Sequence, residues 1–370
     1  MLEKKVAEYS GVDTALCLNS ASAGLELILR WFGVGEGDEV ILPAYTYAAT
    51  ANVVIHCGAI PVFVDVNDDF CINIDEIKKN ISSKTKVIMP VDIAGLPCDY
   101  DEINTLVIEH KIKSQFKSNH PNQEKLGRIL VLSDAAHSLG AWYKGKRTGS
   151  LTDVTVFSFH AVKNLTTAEG GAICLNLPEG FDHAEVYKEL NIKSLHGQNK
   201  DALAKTQIGN WRYDIIEAGY KCNMTDIHAA IGLVEIERYD SEMLPKRKQI
   251  FDAYFKAFSK YSWAKLTPYE LEDKTSSYHV FTLRINGIGE SERDAIIQKV
   301  FEKAVSVNVH FIPLPMMSFY KALGYRMSDY PQAYDNYKCE ISLPVYFDLS
   351  DENVETILKA VIDSVEEVLK

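Results

Sequence analysis

The sequence predicts an α/β protein: a large domain built on a mixed, mostly parallel sheet sandwiched by helices, then a smaller carboxyl-terminal α/β domain. Two observations carry this expectation. Between residues 14 and 175 short apolar runs recur, TALCLN, DEVILP, IPVFVDV, KVIMPVDI, RILVLSDA, DVTVFSFH and GAICLN, most of them separated by helical or polar stretches. Strands buried on both faces read as continuous runs of this kind, and parallel neighbours need crossover helices between them. From residue 181 to 260 the pattern changes to apolar residues three and four apart, which is the period of a helix.

The elements follow in order. The seven runs predict strands of one sheet, with function at their carboxyl ends. KIKSQFKSNHPNQEKLGR at 111 to 128 is polar, rich in Lys, Asn and Gln and holds a proline, and reads as a surface loop. MTDIHAAIGLVEIERYDSEMLPKRKQIFDAYFKAF predicts two long helices that meet near Pro245, because proline lacks the amide a helix interior needs. After about residue 275, YHVFTLRI, a helix around SERDAIIQKVFEKA, VNVHFIPL and the amphipathic DENVETILKAVIDSVEEVLK suggest the small domain. The expected division is residues 1–240 and 241–370.

Composition narrows the function. With 46% apolar and 24% charged residues and no biased tract, the chain reads as an ordinary globular protein. A net charge of -12 works against sequence-independent nucleic-acid binding, which needs a basic surface to release counterions. No apolar run approaches the ~20 residues that span a bilayer, and MLEKKVAEYS lacks the apolar region of a secretory signal, so a cytoplasmic protein is expected. The seven cysteines, at 17, 57, 71, 98, 174, 222 and 339, lack C-x-x-C spacing and read as reduced thiols. Cys17 and Cys174 sit in strand-like runs as small hydrophobes.

Three stretches carry chemistry. RILVLSDAAHS ends a strand in Asp134; alone this is a turn or helix cap, but a carboxylate at that edge also points into the site such sheets create. DVTVFSFHAVKNLTTAEGG ends another strand in Ser158, His160 and Lys163, with paired glycines beyond. A lysine with an ordinary pKa of ~10.4 attacks carbonyls near neutral pH only when burial or cationic neighbours lower that value. LNSASAGLELILRWF places small hydroxyl residues before an apolar-periodic segment, giving either a plain serine cap or a helix amino end able to hold phosphate. Together they suit a cofactor with a phosphate, an aldehyde and a basic ring nitrogen, and pyridoxal 5'-phosphate has those groups.

NSASAGL, LPAYTYAATANVV, PVFVDV, SDAAHSLGA, SFHAVKNLTTAEGG, CNMTDIHAAIGLVEIERYD and VHFIPL, in this order, make the chain resemble the DegT/DnrJ/EryC1/StrS sugar aminotransferases from about Val6 to near its end. The resemblance implies a fold-type-I pyridoxal-phosphate transferase working as a homodimer with shared active sites. It implies amino transfer from an amino acid, glutamate above all, to a keto sugar, with a nucleotide-linked 4-keto-6-deoxy sugar for surface glycans preferred. Lys163 matches the lysine that bonds the cofactor aldehyde and moves the proton, and Asp134 the partner of the ring nitrogen. His137 matches a residue near the phenolic oxygen, and Tyr47 an aromatic that stacks on the ring. Ala21, Ser22 and Ser158 match phosphate contacts, and Asn223 matches an asparagine that reaches the phosphate of the neighbouring subunit. His160, His196 and His310 also match recurring histidines, for which packing is weighed ahead of substrate contact.

The sequence departs from the family's pattern as well. Members usually carry a further leading segment with a glycine-containing stretch, so the expectation is a late start of the numbering or a remodelled edge. Ala21-Ser22 replaces a Gly-Thr pair, keeping one hydroxyl. Relatives that became dehydratases replace the lysine with histidine, and non-catalytic relatives lose it; the presence of Lys163 argues against both readings.

Overall fold

In the computed structural model the described residues are 1–199 and 212–370. The chain lays down β1 Thr14–Leu18, β2 Glu39–Pro43, β3 Ile60–Val64, β4 Thr85–Ile88 and β5 Leu130–Asp134, then the short β6 Trp142–Tyr143 and β7 Lys146–Arg147, then β8 Val154–Ser158 and β9 Gly171–Leu175. Seven of these form one sheet in the order β1-β9-β8-β5-β4-β2-β3. The pairs from β8 to β3 are parallel, whereas β9 pairs antiparallel with both β8 and β1. The mixed, mostly parallel sheet expected from the apolar runs is therefore present. Every residue of β4, β5 and β9 is buried, which is why those runs lack alternation.

Helices α1 Leu2–Ser10, α2 Ala21–Trp31 and α3 Ala48–His56 begin the covering layers. Helix α2 buries Leu25, Leu27, Ile28, Leu29 and Trp31, each side chain contributing roughly 1.5–3 kcal/mol against solvent exposure. It also lies very close to the sheet at Gly24, where an added Cβ would stand 2.9 Å from Val156 Cγ1. That close approach brings the amino end of α2 to the carboxyl edge of the sheet.

The segment 111–128 departs from the expected surface loop. It contains the helices His110–Gln115 and Pro121–Leu126, and Gln123 is wholly buried. Gln123 Nε2 donates to Phe32 O at 2.9 Å and Asn122 Nδ2 to Trp31 O at 2.8 Å, so these amides satisfy carbonyls left open at the end of α2. Asn119 Nδ2 adds a bond to Asp38 Oδ1 at 3.1 Å. The segment does lie at the surface, with most of its residues exposed, but it is helical, and a few of its amides cap α2.

The helices Asp226–Arg238 and Leu244–Phe258 meet through a π turn at Tyr239–Met243, and Pro245 occupies the first turn of the second helix, where its missing amide costs nothing. Strands β10 Ala264–Leu266, β12 Phe281–Ile285 and β13 Glu340–Leu343 form a second, antiparallel sheet, while β11 Lys274–Thr275 pairs with β6. Ile250, Tyr254, Leu283, Ile296, Ile341 and Val361 share its core. VNVHFIPL contributes only the isolated bridge Asn308↔Ser342. Leu314, Tyr320, Ala333 and Tyr337 pack back into the core of the large sheet. The closing helix Asp351–Leu369 is capped by Ser350, whose hydroxyl accepts from Asn353 N at 3.1 Å. Among the described residues no helix is long and apolar enough to cross a membrane.

Candidate active site

Strands β5 and β8 end side by side, since Asp134 pairs with Val156, and their ends open into a cavity of about 370 Å³. Ala21, Ser22, Tyr47 and Asp134 line it, as do His137, Ser158 and Lys163. Of the eight residues expected from sequence, only Asn223 lies elsewhere in its own chain: it bridges Leu18, and its Nδ2 donates to Met224 O at 3.1 Å.

Asp134 is buried, and burial raises its pKa. Its Oδ2 accepts from Thr50 Oγ1 at 2.8 Å, Thr50 lies 2.8 Å from Thr46 Oγ1, and its Oδ1 accepts from Ala136 N at 3.3 Å. No cationic side chain among the described residues forms an ion pair with it. A carboxylate so held invites a positively charged N–H group. Lys163 is half-buried, and burial brings its pKa down to about 8, with Asp134 opposing the fall. It too has no ion pair among the described residues, and more of it is free amine near neutral pH than of an ordinary lysine.

At the amino end of α2, Ser20 is the cap: its hydroxyl accepts from Ala23 N at 3.1 Å. The amides of Ala21 and Ser22 belong to the first turn, where no intrahelical acceptor exists. Gly171, at the start of β9, lies against this turn; a Cβ there would stand 2.5 Å from Ala21 N. The amides, Ser22 and Ser158 thus frame an uncrowded anion cradle.

The histidines close the other side. His137 is buried, and burial, with the Lys163 and His310 charges adding to it, holds its pKa well below the ordinary value. Its Nδ1 accepts from Ala94 N at 3.3 Å, so the proton sits on Nε2. His310, weighed toward packing in the sequence, lines the cavity with its Nδ1 buried and without a hydrogen-bond partner among the described residues, and burial and Lys163 bring its pKa down to about 4. His160 also lines the cavity and is exposed, its Nε2 3.6 Å from Glu169 Oε1. His196 does not line it. Tyr47 is 62% exposed, its ring 5.7 Å from that of Phe311.

Sequence reading missed Thr50, His279 and Phe311. Thr50 stands in the quoted AYTYAAT block, three residues after Tyr47, where a strand end leads into a helix; that was the available signal. His279 is remote in sequence from every other site residue. A second groove of about 870 Å³ adjoins the cavity and shares Val162, Lys163, His279 and His310 with it.

A seven-stranded mixed sheet with a strand-end carboxylate, a burial-activated lysine and a helix-end anion cradle is the architecture of the fold-type-I aminotransferases. The chain belongs to the DegT/DnrJ/EryC1/StrS aminotransferase family, whose model matches residues 1–117 and 123–362. The unmatched residues 118–122 fall inside the capping insertion. In structure it is similar to Streptococcus pneumoniae Spr1654, described as a candidate sugar aminotransferase and solved in PMP and PLP forms. The PMP form gives a TM-score of 0.95 at 46% identity over 99% of this chain and 91% of that one. Helicobacter pylori PseC, an aminotransferase in the biosynthesis of pseudoaminic acid, gives 0.86 at 27% over 99% and 90%. In sequence the chain is 35% identical to the Bacillus subtilis spore coat polysaccharide biosynthesis protein SpsC, over 98% of this chain and 88% of that protein.

Proposed function

We propose that this protein uses pyridoxal 5'-phosphate to move an amino group from L-glutamate to the keto group of a nucleotide-linked 4-keto-6-deoxy sugar for surface polysaccharide or glycan assembly. The observation that carries the reading is Lys163, a half-buried amine with its pKa lowered to about 8, in one cavity with Asp134 and the α2 cradle. The donor set suits the cofactor: among the described residues neither Asp134 nor Lys163 is engaged in an ion pair, and Gly171 leaves the first-turn amide of Ala21 free of a side chain. When bound, the cofactor supplies an aldehyde for the nitrogen and a ring that accepts an electron pair.

The chain's own groups do the rest. With the cofactor held, Lys163 would be the group that bonds its aldehyde and the general base and acid that moves the substrate proton. Asp134, held by Thr50 and Ala136 N, would keep the ring nitrogen protonated. His137 would donate from Nε2 to the phenolic oxygen, Tyr47 would cover the ring, and Ala21, Ser22 and Ser158 would hold the phosphate. The groove beside Lys163 gives room for a substrate larger than an amino acid.

The same reading makes the protein a homodimer. Ile227, Ile231 and Val234 form an exposed apolar stripe on one helix, 75%, 40% and 60% exposed, at a spacing that suits a partner helix or sheet. On this reading Asn223, outside its own cavity, would reach the partner's phosphate. The surface-glycan setting draws support from PseC and SpsC, whose described roles lie in sugar and polysaccharide biosynthesis.

The test is incubation with glutamate and a panel of nucleotide-linked keto sugars, with product masses read by mass spectrometry. An aminated sugar formed with 2-oxoglutarate supports the proposal, and the acceptor panel distinguishes C4 from C3 ketones. Amination of no sugar, with rapid turnover of simple keto acids, overturns the sugar assignment.

A further inference from the structure

His279 is tied to three separate pieces of the site. Its backbone N donates to Ala94 O at 3.3 Å, and Ala94 N in turn donates to His137 Nδ1. Its ring lies 4.3 Å from the His137 ring, tilted by 39°. Its Nδ1 is 2.7 Å from Oδ1 of Asn164, the residue that follows Lys163. Arg247 Nη1 reaches His279 O at 3.3 Å and Tyr278 O at 3.4 Å, fastening the segment from the outer side.

The network also fixes which nitrogen carries the proton. Tyr239 OH gives its hydrogen to Leu139 O at 2.7 Å, so its oxygen accepts from Asn164 Nδ2 at 3.2 Å. Asn164 Nδ2 donates as well to Ser277 O at 2.7 Å, which leaves Oδ1 as the acceptor facing His279. The proton therefore sits on His279 Nδ1, and Nε2 keeps its lone pair. No hydrogen bond from a described residue reaches that atom, and the residue lines both the cavity and the groove that Lys163 shares. Burial first, then His137, Lys163, Arg247 and His310, hold the imidazole neutral.

We infer that His279, oriented by Asn164, is a positioning residue for Lys163 and His137: it pins the lysine turn to the His137 ring and offers the lysine amine a neutral acceptor. The inference rests on the proposed role of Lys163 as the reacting amine. The charged or titratable groups that line the site with Lys163 are Asp134, His137, His160, Glu169 and His310 in the cavity, and Glu235, Arg238, Arg247 and Asp348 in the groove. The Asp134 charge favours the ammonium, and a neutral lone pair offered to the amine would favour it further, so loss of the His279 imidazole lowers the pH at which Lys163 deprotonates.

The experiment measures, in full-length protein freed of cofactor, the pH midpoint for acetylation of Lys163 by peptide mass spectrometry, together with the rate of the glutamate half-reaction in loaded protein. His279→Phe keeps a ring against His137 but loses both nitrogens; it lowers the midpoint by roughly one pH unit and slows the half-reaction roughly 10²-fold. Asn164→Leu moves both readouts the same way, and His279→Gln, which retains a donor for Asn164 and an acceptor, restores most of each. A merely structural role lowers the melting temperature and leaves the midpoint in place. The inference is overturned if folded His279→Phe keeps the wild-type midpoint and rate; should that variant not fold, Asn164→Leu at the wild-type midpoint overturns it. Wild-type protein that never takes up cofactor, while its midpoint still depends on His279, sinks the proposed function and not this inference.

Discussion

Lys163 and Asp134 depend on each other through charge, and their environments decide what each can do. Burial lowers the lysine to about 8, so its unprotonated fraction rises tenfold per pH unit below that value and saturates above it. The rate at which cofactor-free protein takes up pyridoxal phosphate, followed by absorbance, should trace that curve. A flat profile between pH 6 and 9 would contradict it. Thr50→Val leaves Asp134 with one fewer hydrogen bond to its charged form, at a cost of about 1.5–3 kcal/mol in that form; titration of the bound cofactor should show the ring nitrogen losing its proton at lower pH. Asp134 and Lys163 were legible because strand-like runs ended in them and the family blocks surrounded them. His279 was not, since the contact with Asn164 joins positions 115 residues apart and nothing local in YHVFTLRI distinguishes a site histidine from a packed one.

Elements place these residues, and two are exposed to simple tests. The cap at Ser20 starts α2, and Gly171 lets β9 pass close beneath its first turn. Ser20→Ala should lower stability by about 1 kcal/mol in denaturant melts. Gly171→Ala puts a carbon 2.5 Å from Ala21 N, and weaker cofactor retention in equilibrium dialysis is the expected result. In β13, Glu340 is wholly buried and burial pushes its pKa up to about 8, although Ser342 Oγ and His310 N donate to it. The folded chain then binds a proton that the unfolded chain has already released, between the ordinary carboxyl value and about 8. This contribution to stability is full below that window and lost as pH rises through it. Glu340→Gln should accordingly gain melting temperature on the wild type as pH climbs from 5 to 8, and a constant difference would contradict the assignment. The strand runs and the helix break near Pro245 were readable in the sequence because period and proline act locally. The segment 111–128 lies at the surface as expected, but its two short helices were missed because Asn and Gln that cap a helix end look, as composition, like those of a loop.

At the scale of the whole molecule, we place the domain boundary at residue 240, in the π turn, although Leu314, Tyr320 and Tyr337 return to the large-sheet core. That return links the His310 segment to both cores, Val307 to that of the small sheet and Phe311 to that of the large one. Pairing of two chains through Ile227, Ile231 and Val234 is the larger assembly we propose; Ile231→Asp should shift sedimentation toward monomer and reduce cofactor retention together, whereas a monomer that holds cofactor normally would separate assembly from the site. The central claim is that Lys163 bonds a cofactor and exchanges nitrogen with an amino acid, and the absorption spectrum of the purified protein tests it most directly. The account predicts a visible band of the lysine-linked cofactor that glutamate bleaches to the aminated form, absent from Lys163→Ala. A wild-type protein that binds no cofactor, or whose band responds to no amino donor, would contradict it.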